Sequence, residues 1–157
     1  MFQSNKICHW RRVRSFFWPI LLGAIFAHPV AASQGKLVVR DDPGGSVEQQ
    51  VAAVRDLQTN GTRVEIRGDF CMSACTMYLA LTDVCTTPRT IFGFHGPGSE
   101  IYGIGLPPAA FEHWSRVIAR HYPEPIRSWY LNVARNRTIG FYSVRGRDLI
   151  EMGVAAC

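Results

Sequence analysis

Ser73 and His95 are the residues whose types and positions point most directly to bond-making chemistry. Ser73 lies in Gly68-Asp69-Phe70-Cys71-Met72-Ser73-Ala74-Cys75-Thr76, a short turn between an alternating, strand-like segment and an apolar, helix-like one. A hydroxyl at such a turn projects from a helix N-terminus, where free N–H groups and the helix dipole favour developing negative charge. It still needs a base, and histidine is the side chain best suited to take its proton near neutral pH. His95, in Gly93-Phe94-His95-Gly96-Pro97, fills that role. The paired glycines of Asp42-Pro43-Gly44-Gly45-Ser46 offer an oxyanion site, because glycine allows positive φ and close backbone approach. The plainer reading makes Ser73 an N-cap, His95 a structural side chain at a strand end, and Asp41 and Asp42 turn formers.

The flanking patterns say how these residues would be held. Lys36 to Arg40 reads as a short strand entering the Gly-Gly turn. Ser46 with Gln49 fits a capping box, and Val47, Val51, Val54 and Leu57 recur at helical spacing until Asn60-Gly61. Val64 and Ile66 alternate with charged neighbours over Arg63 to Arg67, so strand, helix and strand make a parallel unit that delivers the chain to Ser73. The run from Ser73 to Leu81 is apolar nearly all round and predicts a buried helix. Thr90 to Phe94 predicts a further strand with His95 at its end, which places Ser73 and His95 at the carboxyl ends of neighbouring parallel strands. Gly96 to Pro108 is a Gly/Pro-rich excursion suited to lining a cleft or to self-association. Amphipathic helices follow over Ala109 to Tyr122 and from Pro125 onward, with Trp114, Trp129 and Tyr130 read as core residues.

Gly-Gly, then Ser, then His, with helix-like segments between, resembles the proteolytic subunit of Clp protease within the crotonase-like superfamily. The likeness is nearer to secreted bacterial relatives that carry a Cys-x-Ser-Ala-Cys turn. Ser73 follows Gly45 by 28 positions and His95 follows Ser73 by 22, and the resemblance runs from Leu37 to Pro97, more loosely beyond. It implies an α/β fold: a crotonase-like parallel sheet of βαβ units with flanking helices, reduced at its N-terminal end. It also implies Ser73 as nucleophile, His95 as general base, and the backbone N–H groups of Gly45 and Ala74 as the oxyanion hole. The family's third member, an Asp, has no clear counterpart, and Asn136 and Asp148 are the candidates to orient the imidazole in its place. The implied activity is that of a serine hydrolase, of peptidase type, forming an acyl-enzyme at Ser73 with no cofactor. Its substrate would be a peptide or an unfolded protein, and the sheet edge exposed by the reduced end favours a homo-oligomer. The alternatives are a non-catalytic, disulfide-held binding or assembly module on the same fold, and thiol redox activity through Cys71 and Cys75.

Residues 1–32 read as a secretory signal: Lys6, Arg11, Arg12 and Arg14 precede an apolar run from Phe16 to Ala27, and Val30-Ala31-Ala32 supplies small residues before Ser33. A permanent anchor is the rival reading, but crossing a bilayer takes about 20 apolar residues, and Pro19 and His28-Pro29 shorten this run. Residues 33–157 are then a single domain, periplasmic or secreted, touching a membrane only through an uncleaved signal segment. The segment holds four of the 17 Lys+Arg and no Asp or Glu, so 13 basic residues remain against 12 acidic ones. The net charge of +5 is therefore mostly an export signal, and no basic stripe remains to suggest nucleic acid.

Outside the signal lie Cys71, Cys75, Cys85 and Cys157, enough for two disulfides in an oxidising compartment. Three pairings are possible; Cys71 and Cys75 are four apart at a helix start, where pairing competes with helix geometry, whereas Cys75 and Cys85 bracket a helix and its turn, which favours Cys75–Cys85 with Cys71–Cys157. A Cys-x-x-x-Cys with one distant His is poor zinc-ligand spacing, and no metal is expected.

Overall fold

The computed structural model describes residues 35–99, 101 and 104–157. The signal-peptide expectation for residues 1–32 lies outside them. Strand β1 (Lys36–Val39) passes through the Gly-Gly turn into helix α1 (Val47–Thr59), and α1 returns to β2 (Arg63–Ile66). Ser46 caps α1 by accepting the Gln49 N–H at 3.4 Å, while its own hydroxyl donates to Glu48, so half of the expected box forms. β1 and β2 pair in parallel with Leu37 opposite Val64, and Val64 and Ile66 are fully buried, as their alternation requires.

β2 does not run on to Ser73. A side chain at Gly68 would collide with the backbone of Arg40 and Asp41, and past this close crossing a separate strand, β3 (Phe70–Met72), forms in a second sheet. The remaining elements are β4 (Val84–Thr86), β5 (Ile91–Phe94), α2 (Pro108–Ala119), α3 (Ile126–Asn132), a 3-10 turn (Ala134–Asn136), β6 (Tyr142–Arg145), α4 (Gly146–Glu151) and β7 (Ala155–Ala156), besides the helical run from Ser73. One sheet runs β1-β2-β4-β7, parallel throughout; the other runs β3-β5-β6, with β6 antiparallel to β5. The fold is thus mixed α/β with a largely parallel framework and flanking helices. Ser73–Ala80 is helical and mostly buried, but it is a 3-10 helix.

Behind the site, Phe94 meets Tyr122 and Trp129 edge to face, with ring centres 5.4 and 5.3 Å apart. Tyr122 in turn meets Tyr130 at 5.1 Å. This aromatic cluster fastens the end of β5, and so His95, to the chain around α2 and α3. Trp129 and Tyr130 are core or near-core residues, as expected.

The cysteines pair as Cys71–Cys75 and Cys85–Cys157, with Cα atoms 5.4 and 5.0 Å apart, which overturns the expected Cys75–Cys85 and Cys71–Cys157. The objection to a four-residue spacing fails because Cys71 is a strand residue and the chain turns sharply before Cys75. Cys85 and Cys157 meet because β7 pairs with β4, aligning Ala155 with Cys85 and leading the Cys157 N–H to the Thr86 carbonyl at 3.0 Å. The 72-residue separation makes this cross-link a strong restraint on the unfolded chain. Replacing both residues, Cys85→Ser with Cys157→Ser, should lower unfolding free energy by about 2–5 kcal/mol, read as a fall of roughly 10 °C in Tm by calorimetry.

Candidate active site

β3 and β5 are parallel neighbours with Met72 aligned to Gly93, so the chain leaves their carboxyl ends side by side. The residues that emerge there are Ser73 and His95. Their side chains meet at 2.7 Å, His95 Nε2 to Ser73 Oγ. When the ring proton is on Nδ1, Nε2 accepts the serine hydroxyl, the arrangement a general base needs.

Ser73 has φ +54°, the left-handed region that costs a residue with a Cβ about 1–2 kcal/mol. Among the described residues it is the one non-glycine with positive φ. Strain of this kind gathers at functional sites, where the surroundings enforce it. Gly44 lies against the same turn with φ +86°, and a Cβ there would sit 2.6 Å from Ser73 Cβ and 2.9 Å from the Ala74 nitrogen. Only glycine fits that approach. The Gly44 N–H donates to Asp42 Oδ1 at 2.8 Å, whereas the N–H groups of Gly45 and Ala74 have no acceptor among the described residues. Asp41 instead reaches out of its own turn, accepting the Asp69 N–H at 2.6 Å across 28 positions of chain. Gly45, Ser73, Ala74 and His95 all border one cleft of about 650 Å³.

Gly96 to Ser99, Ile101 and Leu106 contribute to this cleft from the Gly/Pro-rich excursion. Trp114 and Ile118 face it from α2. Helical spacing marks which side of α2 is apolar, but it does not separate core from cleft wall, which is why Trp114 reads as core in the sequence. Tyr122 is another residue the sequence does not flag: its hydroxyl is 2.7 Å from Thr76 Oγ1, which donates to the Ser73 carbonyl at 2.7 Å. Burial raises the Tyr122 phenol far above its ordinary value, so it remains a neutral partner in this chain of bonds.

Burial pushes the His95 imidazole below its ordinary value of 6.5, with a backbone hydrogen bond at Gly96 acting the other way. The Phe141 ring stands edge-on to it with centres 5.1 Å apart. Neither candidate third member engages His95. Asn136 donates its side-chain N–H to the Asn132 carbonyl at 3.1 Å, the backward i−4 contact of a helix end. Asp148 accepts the Arg145 N–H at 3.2 Å at the start of α4 and lies beside Arg147. His121, expected at a helix's solvent boundary, is partly exposed with Nδ1 at 2.8 Å from the Val117 carbonyl, and His113 is exposed.

No family model matches the chain, and no curated protein matches it. Solved structures do. The membrane-bound stomatin-specific protease 1510-N, as a lysine-to-alanine variant in complex with a substrate peptide, matches with TM-score 0.56 and 20% identity over 76% of this chain and 58% of its own. A serine-to-alanine variant of the same protease matches with TM-score 0.56 and 18% identity over 76% of this chain and 62% of its own. The chain therefore spans about three fifths of the length of these structures. At this level of identity the likeness is one of architecture: the chain shares with these structures a mixed α/β fold of parallel sheet and flanking helices.

Proposed function

We propose that the chain is a serine peptidase that forms an acyl-enzyme at Ser73, with His95 as general base and the N–H groups of Gly45 and Ala74 as oxyanion donors. The observation that carries this reading is the 2.7 Å contact between His95 Nε2 and Ser73 Oγ at a serine held at φ +54°. In the reaction, Nε2 takes the hydroxyl proton as Oγ adds to a peptide carbonyl. Charge then develops on the carbonyl oxygen, where each preorganised N–H donor is worth about 3 kcal/mol of barrier. The imidazolium returns its proton to the leaving amine, and water repeats the sequence to release the acid. A peptide substrate is supported by the like-folded protease seen with a substrate peptide and by the cleft of about 650 Å³ beside Ser73.

The experiment is digestion of a mixed library of short peptides by the oxidised chain, read by mass spectrometry. New carboxyl termini that disappear in Ser73→Ala support the reading; an unchanged library overturns it. Because burial lowers the His95 pKa, kcat/KM should have its acid limb below pH 6.5 and be flat through neutrality. A stopped-flow or plate-based ester assay across pH 4–8 checks this, and a midpoint above 6.5 would contradict it.

A second reading, the non-catalytic binding or assembly module, is favoured by the absence of any carboxylate hydrogen-bonded to His95 among the described residues. It predicts that Ser73→Ala leaves function in the cell unchanged while loss of a disulfide does not. Export of the domain by residues 1–32 belongs to the same proposal. Two disulfides suit an oxidising compartment, and N-terminal sequencing of the exported protein should begin at Ser33. Self-association is proposed through β1, which ends its sheet among the described residues, and sedimentation would give the stoichiometry.

A further inference from the structure

Cys71 and Cys75 stand two residues to either side of Ser73, and their disulfide closes a small ring around it. We propose that this disulfide is a positioning device for the nucleophile: it keeps Ser73 in the left-handed backbone conformation that presents Oγ to His95. The proposal rests on the reading of Ser73 as nucleophile.

A serine at φ +54° persists only where its surroundings enforce that conformation. On the carbonyl side, Thr76 Oγ1 donates to the Ser73 oxygen and is itself joined to the Tyr122 hydroxyl. Those bonds fix where the carbonyl points. They leave rotation about the Ser73 N–Cα bond to be limited from the other side. There, Cys71 is held in β3 opposite Phe92, and the Met72 N–H donates to the Asp42 carbonyl at 2.8 Å. The disulfide ties this fixed strand end to Cys75 in the first turn of the 3-10 helix. With both ends of the turn joined, Ser73 cannot relax into an extended or right-handed conformation without separating the two sulfurs.

Two further observations favour positioning over the other roles a disulfide has. A ring spanning four positions restrains the unfolded chain far less than the 72-position link between Cys85 and Cys157, so bulk stability is mainly the work of the latter. Cys71 and Cys75 are both 0% exposed, which closes them to the attacking thiolates that exchange would require and sets aside the thiol redox alternative.

The test compares Cys71→Ala/Cys75→Ala with Cys85→Ala/Cys157→Ala in the full exported chain, below the Tm of both. Labelling by a fluorophosphonate should slow about 100-fold or more in the first pair, the scale set by ångström displacements of a nucleophile, and stay within about threefold of wild type in the second. The second pair should nevertheless show the larger fall in Tm. In a peptide assay the first pair should lose kcat with little change in KM, a split that a merely structural link would not produce. A crystal structure of Cys71→Ala/Cys75→Ala supplies the readout that does not depend on activity, with Ser73 expected to leave positive φ and Oγ to leave Nε2. Cys71→Val/Cys75→Ala, which refills the buried space, serves in the same way if the double alanine does not fold. Wild-type labelling in the folded variant, or Ser73 still at positive φ on His95, overturns the proposal. If the wild-type chain itself does not label, the nucleophile reading fails, and the crystallographic φ alone decides whether the disulfide positions Ser73.

Discussion

Ser73→Ala should lower kcat for peptide or ester hydrolysis by about 10⁴-fold or more, to a residue of rate that oxyanion donors and substrate binding still supply. The size follows from what is removed. Without Oγ no acyl-enzyme forms, and the remaining route is direct attack by water. His95→Ala should cost nearly as much, because the hydroxyl in contact with Nε2 at 2.7 Å would then lack a base. The double variant should be scarcely worse than either single one, since the two side chains act as one unit. Steady-state kinetics on all three proteins, with circular dichroism to establish folding, checks the prediction. Additive losses, or activity in Ser73→Ala, would place the chemistry elsewhere.

Gly44→Ala should damage both stability and catalysis. The new methyl would lie 2.5 Å from the Met72 carbonyl oxygen, 2.6 Å from Ser73 Cβ and 2.9 Å from the Ala74 nitrogen, at a φ of +86°. Most of these neighbours are backbone, which cannot swing aside as a side chain can. The Gly-Gly turn must therefore move away from the Ser73 turn and carry the Gly45 N–H with it. Loss of one oxyanion donor lowers kcat by about 10²–10³. Strain at positive φ together with overpacking should lower unfolding free energy by roughly 2–4 kcal/mol. For stability Gly45→Ala is the control, because a Cβ there meets nothing within 4 Å. Urea unfolding of both variants and kcat of Gly44→Ala against wild type check this; equal stability of the two variants, or wild-type kcat in Gly44→Ala, would contradict the account.

Much of this site was legible in the chain because it rests on local chemistry. The Ser46 cap, the alternation of Val64 and Ile66, and the glycines of Gly44-Gly45 each carry a local physical cause, and each has its expected place in the structure. The neighbouring ends of β3 and β5 follow from parallel pairing, although β3 itself was hidden by its length of three residues. Short strands buried through non-local pairing leave little pattern. β4 is three residues buried on both faces, without alternation, and β7 is two alanines. The expected cysteine pairing fails because Cys71 lies in short β3 rather than in a helix, and because β4–β7 pairing brings Cys85 to Cys157. The φ of Ser73 was likewise unreadable, because a serine reports no preference for the left-handed region. Asn136 and Asp148 illustrate the same limit: both suit the chemistry by type, and each is engaged by its own helix end.

Covalent capture by a fluorophosphonate tests the central claim most directly, because it asks only whether Ser73 is activated. The oxidised chain, with Ser73→Ala and His95→Ala beside it, is treated at neutral pH and mapped by tandem mass spectrometry. A single adduct on Ser73, lost in both variants, is the predicted result. An unmodified chain whose fold and two disulfides are intact would contradict the account.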